Sequence, residues 1–326
     1  MVWATVLLYA GGFTTSIEAG MAFLDWPLSN GSINPPGWTR ESDQLAEHSH
    51  RLLGMKLGLL GIVMVIWTQL LEARRKVRWL AAGLLGMIIF QGILGGLRVL
   101  LDQQNLLTES NLVAQTFAVL HACGAQIVVC MLVALTVVNS RFWHNRSKIT
   151  VSAYASRITA RWGMIACAAV FVQILLGAIM RHGKVGLAIP TFPYSTAQGD
   201  WLPAFWNWGI AVNFSHRVGA IVVTVLLLVV VVRVLRQADL RRALLTPTLA
   251  VPALLIVQIT LGALTVWKQL NPYAATLHML VGAFLLASVW LVTLLCIGFS
   301  RASQTAPSPD SVRSRTSPGS MEPVLR

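Results

Sequence analysis

Charged residues are scarce in this sequence. They make up 11% of its 326 residues, whereas hydrophobic residues make up 56%; soluble globular domains carry roughly 25% charged residues. Acidic residues are the scarcest, with 12 Asp and Glu against 25 Lys and Arg, which leaves a formal net charge of +13. In a soluble chain this excess would suggest a nucleic-acid partner. Here the basic residues cluster between long apolar runs, so we interpret them as orientation signals in a membrane and expect no nucleic acid.

Cysteine is also rare. The sequence has four cysteines, all of which fall inside apolar runs and none of which form a Cys-x-x-Cys pair: Cys123, Cys130, Cys167 and Cys296. This pattern is typical of small buried hydrophobic residues and argues against a disulfide or a cysteine metal site.

Eight apolar windows are long enough to cross a bilayer, which takes about 20 residues. They cover residues 2–18, 47–71, 77–100, 112–138, 160–180, 210–232, 244–267 and 274–299. The first window has no basic segment before it and no convincing cleavage site, so we expect a retained helix rather than a signal peptide. We therefore predict an all-α membrane protein with eight transmembrane helices.

Basic residues mark every second connection between these windows. They cluster in residues 74–78, 141–161 and 233–242 and again after residue 300. The positive-inside rule then predicts that both termini are cytoplasmic and that the even-numbered helices start at the outer surface. The absence of a transit peptide favours a bacterial plasma membrane. Residues 300–326 are rich in Ser, Pro and Arg, and we expect a disordered cytoplasmic tail there.

The two halves of the sequence repeat one another. Several motifs of the first half occur again 166 or 167 residues later. A Leu-His pair also occurs in both halves, at a different spacing. The pairs are Gly20-Met21-Ala22 with Gly186-Leu187-Ala188, His50-Arg51 with His216-Arg217, Gln91 with Gln258, and Leu120-His121 with Leu277-His278. We interpret this as an internal duplication that gives two tandem four-helix bundles, residues 1–140 and 157–299, joined by a cytoplasmic linker at 141–156.

Four of the seven histidines belong to this repeat, and each lies near the start of an even-numbered helix: His50, His121, His216 and His278. Each half then holds two histidines that face one another across a bundle. Two axial imidazoles suit a six-coordinate haem, whereas zinc or non-haem iron normally takes three or four protein ligands. The residue one turn later is always small, which leaves room for a porphyrin or merely allows close helix packing. These small residues are Gly54, Ala125, Ala220 and Gly282. The other histidines receive no role: His48, His144 and His182.

Two kinds of charged residue accompany the histidines. Arg51 and Arg217 follow the first histidine of each half, and guanidinium suits the propionates of haem; interfacial placement is the alternative. Glu47 lies three residues before His50 on the same helix face, but its counterpart is Asn213. This asymmetry predicts chemistry in the first half and a structural or electron-transfer haem in the second. The alternative for Glu47 is a helix cap.

These residues together resemble the haem A synthase family, membrane enzymes that convert haem O to haem A for terminal oxidases. The resemblance covers about residues 1–299. Its carriers are Gly20-Met21-Ala22 with Asp25-Trp26-Pro27, Glu47-x-x-His50-Arg51, Leu120-His121, Asn213-Phe214-Ser215-His216-Arg217 and Leu277-His278. It implies that His216 and His278 ligate a tightly held haem b. It also implies that His50 and His121 bind the substrate haem O, with Glu47 essential as a porphyrin methyl group is oxidised to a formyl group.

The resemblance also bears on partners and on alternatives. It implies contact with the haem O-forming farnesyltransferase and with oxidase assembly factors, and it leaves a homo-oligomer open. Many bacterial members carry a cysteine pair in the first outer loop; this sequence has none between Ala19 and Ala46, which predicts a cysteine-free branch. The alternative function is a non-catalytic di-haem b cytochrome that exchanges electrons with quinone, but it gives no account of Glu47 opposite Asn213.

Overall fold

The computed structural model describes residues 1–103 and 111–305. Helices dominate this part of the chain, with one short 3-10 turn at Arg146–Lys148. The helices are α1 (Val2–Ser16), α2 (Ser42–Leu71), α3 (Arg75–Gln103), α4 (Leu112–Val138), α5 (Arg141–His144), α6 (Ala153–His182), α7 (Trp208–Arg236), α8 (Ala238–Trp267) and α9 (Pro272–Thr305). Within the described residues no strand forms beyond a single bridge between Ser29 and Ser32.

Seven helices are long and apolar enough to cross a membrane, judged by length and composition: α2, α3, α4, α6, α7, α8 and α9. The all-α membrane prediction is therefore confirmed for the described residues. The eighth predicted span is not confirmed. Helix α1 has 15 residues, about 22 Å of helix at 1.5 Å per residue, which is short of a hydrocarbon core about 30 Å thick.

The helices pack in two sequential groups. The first group runs from α1 to α4 and the second from α6 to α9, and in both groups each helix packs against the next. Helices α6 and α9 also pack together, which closes the second group into a ring. Among the described residues, α1 and α4 form no such close pair. Instead α9 packs against both of them, and α4 packs against α6, so these four helices form a seam between the groups.

The predicted linker is folded rather than extended. Phe142 meets Phe299 of α9 edge to face, and the backbone N–H of Ser152 donates to the carboxylate of Asp239 at the start of α8. Helix α9 continues to Thr305, past the boundary predicted at 299, because no proline follows until Pro307. The prediction of a disordered tail over residues 300–326 is wrong for residues 300–305, which are helical, and residues 306–326 lie outside the described part of the chain.

Two long segments, 17–41 and 183–207, lie at the same end of the helices, which we call the loop end. The first connects α1 to α2, and the second connects α6 to α7. Because α2, α4, α7 and α9 all begin at this end, residues in their first turns are brought to a similar depth. The opposite end, which carries the 141–152 connection, is called the linker end.

Candidate functional site: paired histidines at the loop end

The four repeated histidines lie near the loop end, one on each of α2, α4, α7 and α9. All four are partly buried within the helix groups: His50, His121, His216 and His278. The structure places two of these histidines, on two different helices, in each group. Among residues 1–103 and 111–305, no set of three or more His, Cys, Asp or Glu side chains is arranged to hold a metal ion.

His216 and His278 face each other in the second group. Their ring centroids lie 6.5 Å apart with the ring planes at 69°. Two imidazoles on opposite sides of one metal ion, each nitrogen about 2 Å from it, put their ring centroids roughly 6 Å apart. The spacing of this pair therefore fits one iron held between two axial histidines.

Two glutamines orient the rings of this second pair. The Nδ1–H of His278 donates to the Gln258 carbonyl oxygen at 3.1 Å. Nδ1 of His216 lies 3.1 Å from the side-chain amide of Gln173, and that amide also donates to the His216 carbonyl at 2.7 Å. Donation from Nδ1–H fixes the His278 ring and leaves its Nε2 lone pair as the acceptor, and this Nε2 lies 3.4 Å from the Gln258 side-chain amide. The Gln173 amide restrains the His216 ring by donating to Nδ1.

His50 and His121 are the corresponding histidines of the first group and lie near one another. The His50 ring lies near the Leu7 carbonyl and the His121 ring near the Gln91 carbonyl, but Nδ1 of each ring is without a hydrogen-bond partner. The first pair is therefore held less firmly than the second.

Each of the four rings lies against a glycine on the preceding helix. The glycines are Gly11, Gly95, Gly177 and Gly262, and a Cβ added to them would come 2.5, 3.2, 3.1 and 3.0 Å from Cε1 of the facing ring. Such contacts are tighter than a methyl group normally makes, so glycine sets how closely helix and ring approach. From the sequence alone none of these glycines receives a role, and Gly11 and Gly177 are not singled out. Their signal is the offset of 166, which equals that of the histidines they face.

Glu47 and Arg51 tie the 17–41 segment to α2. The Glu47 side chain is buried, with 4% of the residue exposed. Its Oε1 pairs with Arg51 Nη2 at 2.5 Å, and its Oε2 accepts the backbone N–H of Phe23 at 3.1 Å. Helix α2 begins at Ser42, so Glu47 lies in the second turn and not at the cap. The helix-cap alternative is therefore not supported.

Arg51 and Arg217 make matching contacts with the two loop segments. Arg51 donates to the backbone carbonyls of Phe23, Asp25 and Leu28. Arg217 donates to those of Ile189, Thr191 and Tyr194. Each carbonyl of the second set lies 166 residues after its counterpart. Both guanidinium groups are thus engaged with loop backbone, and their assignment to haem propionates stays a prediction.

Asn213 occupies the place of Glu47 in the second group. Its Oδ1 accepts from Arg217 Nε at 3.1 Å, and its Nδ2 donates to the carbonyls of Val185 and Gly186. The connection between helix, arginine and loop is therefore kept without a negative charge. Of these two matching positions, the first carries a buried carboxylate near its histidine pair and the second carries a neutral amide.

Comparison with known proteins places this arrangement in a family. The family model described as Cytochrome oxidase assembly protein matches residues 1–290. A protein from Shouchella clausii named Heme A synthase is 30% identical over 295 residues, which covers 89% of this chain and 90% of the relative. Proteins of the same name from Halalkalibacterium halodurans and Geobacillus kaustophilus are 26% and 25% identical, cover 89% and 91% of this chain, and are themselves covered to 92% and 89%. The chain belongs to the haem A synthase family.

The predicted resemblance to the haem A synthase family is thereby confirmed. The structure adds residues that the sequence argument left without a role. His48, buried on α2, has its Nδ1 2.9 Å from the hydroxyl of Ser29, and its ring lies 4.6 Å from that of Trp38. This histidine anchors the 17–41 segment from the side opposite His50. No sequence pattern predicts these contacts, because Ser29 and Trp38 lie in an irregular loop.

Asp25 stabilises a turn at Asn30 and Gly31 within the same 17–41 segment. Its carboxylate accepts the backbone N–H groups of Asn30 and Gly31 at 2.8 and 2.7 Å. Partial burial raises the pKa of the carboxyl, but these hydrogen bonds and the charge of Arg51 outweigh burial and hold the pKa below its ordinary value. Asp25 therefore stays ionised at neutral pH and keeps both backbone hydrogen bonds of the turn.

Proposed function

We propose that this protein is a haem A synthase, which oxidises a methyl group of haem O to the formyl group of haem A. The family and the names of its relatives support this assignment. The observation that carries it is the asymmetry between Glu47 and Asn213. A buried carboxylate lies near one histidine pair and a neutral amide near the other. This difference is expected if one pair binds the haem that reacts and the other binds a haem that stays in place. The di-haem cytochrome alternative leaves this difference without a purpose.

We propose that haem b is held between His216 and His278 and that haem O binds between His50 and His121. The hydrogen bonds at Nδ1 in the second pair support a permanent group there, since they hold both rings in fixed positions. The looser first pair suits a substrate that must enter and leave. Haem b, when bound, supplies one-electron redox chemistry.

Glu47 provides the charge that the reaction needs in the first half. Its carboxylate pairs with Arg51, and burial in a medium of low dielectric strengthens its field. An anion placed there stabilises positive charge that develops on the porphyrin methyl group, or accepts a proton from it. Arg51 and the Phe23 amide hold the carboxylate in position for either task.

We further infer that the chain is a tandem duplication of a four-helix unit. The matching arginine contacts support this, as do the four ring–glycine contacts. Gly11 corresponds to Gly177, so α1 corresponds to the loop-end part of α6 and would be the eighth membrane helix. Basic residues at the linker end support a cytoplasmic position for that end and for both termini in a bacterial plasma membrane. Expected partners are the haem O-forming farnesyltransferase, oxidase assembly factors and further copies of this chain.

Replacing Glu47 by Asn tests this function, because the variant copies the second half. Asn213 shows that an amide keeps the arginine and the loop in place. Glu47→Asn should therefore fold and retain its haem b but form no haem A. The protein is produced with a supply of haem O, and its haems are extracted and separated by chromatography to detect the formyl product.

The matched control is Glu18→Gln, which removes an exposed carboxylate that pairs with Lys184 at 3.4 Å at the loop end. This variant should form haem A at the wild-type rate. Normal haem A formation by Glu47→Asn would overturn the role of Glu47. Wild-type protein that yields only unmodified haem b would favour the cytochrome.

A further inference from the structure

Arg98 is a cation on α3 at the edge of the first histidine pair. It lies three residues after Gly95, the glycine that faces His121, and it is partly buried. Its guanidinium lies beneath the 17–41 segment, where a Cβ on Gly20 would come 2.6 Å from Nη1 and 2.9 Å from Nη2. A charged side chain in a membrane-spanning helix is costly and usually serves a function.

The charge of Arg98 lies near the proposed substrate site. Its guanidinium is within electrostatic range of His50 and His121, of the Glu47 carboxylate and of His182 at the end of α6. Arg98 therefore borders the same space as the two proposed ligands and the proposed reacting group.

Arg98 differs from Arg51 in its partners. Three ion pairs form within 4 Å among the described residues, and Arg98 takes part in none of them. Its nearest acidic influence is Asp102, one turn further along α3, which acts on it at longer range. Arg51, by contrast, is engaged with Glu47 and with loop carbonyls. Of the two arginines, Arg98 is the one whose charge is not already matched by a contacting carboxylate.

The second half does not repeat this cation. The residue 167 positions after Arg98 is Thr265, whose hydroxyl donates to the Leu261 carbonyl of its own helix at 2.8 Å. Gly186, the counterpart of Gly20, faces Leu270 instead of an arginine. A cation at this position is thus particular to the half in which the substrate is proposed to bind, whereas the second half places Arg181 of α6 near His278.

We propose that Arg98 binds a propionate carboxylate of the substrate porphyrin and so selects which edge of the ring lies toward Glu47. The inference rests on the proposed function, in that haem O binds at the first pair. A guanidinium fork matches a carboxylate with two parallel hydrogen bonds, which fixes direction as well as position. A porphyrin held by axial histidines alone is free to rotate about the axis through them, and one ion pair at its rim removes that freedom.

Binding of two porphyrins to protein that already holds haem b tests this proposal. The probes are haem O and its dimethyl ester, in which both propionates are uncharged, and the readout is the absorbance change on titration rather than turnover. Wild-type protein should bind the acid about tenfold more tightly than the ester, as expected for a charge-assisted contact. In Arg98→Gln this ratio should fall to about one, and Arg98→Lys should retain part of it.

Asp102→Asn is the matched control, because it removes the neighbouring carboxylate and leaves Arg98 in place. It should keep the wild-type ratio. The haem b content of each variant reports its folding, and Arg98→Lys carries the test if Arg98→Gln loses haem b. An unchanged acid-to-ester ratio in Arg98→Gln, or in a folded Arg98→Lys when Gln fails to fold, overturns the proposal and leaves the proposed function intact. Wild-type protein that binds neither porphyrin at the first pair defeats the proposed function itself.

Discussion

At the scale of single residues, three matching positions separate the two histidine pairs. Two of them place charge near the first pair, and the third takes a side-chain hydrogen bond away from it. The positions are Glu47 with Asn213, Arg98 with Thr265, and Leu7 with Gln173. A site with a buried carboxylate and loosely held ligands suits a guest that reacts and departs, whereas a site with fixed ligands and no such carboxylate suits a resident group.

Gln173→Leu should loosen the haem of the second pair. The change copies Leu7 and removes the amide 3.1 Å from His216 Nδ1, and the loss of such a partner typically weakens metal affinity about 10- to 100-fold. Transfer of haem to an excess of a haem-scavenging globin measures the release rate. The reciprocal variant Leu7→Gln should slow release from the first pair. Equal release rates for Gln173→Leu and wild type would contradict the role given to Gln173.

At the scale of elements, the working unit is an antiparallel helix pair in which one helix carries a histidine and the other a glycine. The units are α1 with α2, α3 with α4, α6 with α7, and α8 with α9. The glycine lets the ring lie against a helix backbone, so two such units placed face to face set the distance between their histidines.

Gly95→Ala should lower the rate of haem A formation about tenfold or more, because displacement of a ligand by a fraction of an ångström misaligns a reacting group. The added methyl group would come 3.2 Å from His121 Cε1. Gly92→Ala on the same helix is the control, since a Cβ there meets nothing within 4 Å. Both changes raise helix propensity equally. The rate at saturating haem O decides the matter, and equal rates for the two variants would count against the packing argument.

At the scale of the whole molecule, the second group is closed and the first is not. Helices α6 to α9 complete a ring. Helix α1 instead contacts the second group through Arg181, whose Nη2 donates to the Gly12 carbonyl and to the Ser16 hydroxyl, each at 2.6 Å. Ser16 and Thr276 on α9 are also hydrogen-bonded at 2.8 Å. The first group therefore relies on α9 and α6 for the wall that its own α1 and α4 do not close.

Residues 150–305 alone should fold and bind about one haem per chain, because they include the closed ring and the Ser152 cap of α6. Residues 1–140 alone should bind none, since they lack the seam. Haem-to-protein ratio and size-exclusion behaviour in detergent measure both outcomes. A first half that binds haem by itself, or a second half that does not, would contradict this account of the packing.

Much of this arrangement is predictable from the sequence, and the contacts that are not predictable escape prediction for physical reasons. Apolar windows predict the seven long helices, and the repeat predicts the histidine pairs. Windows of hydropathy misplace the start of α2, whose first turn from Ser42 is polar. The partners of Arg51 escape prediction because every residue carries a carbonyl, so a contact with backbone leaves no mark in the sequence. The partners of His48 escape it because only the folded loop brings Ser29 and Trp38 to one place.

Arg51 and Arg217 hold main-chain oxygens, and this has a consequence for how the protein can change over time. A contact of this kind depends on the path of the chain and is indifferent to which side chains line that path. The 17–41 and 183–207 segments can therefore exchange most of their residues while keeping their course. The face they present outward is free to adapt to new neighbours, and the histidine pairs beneath them keep their geometry.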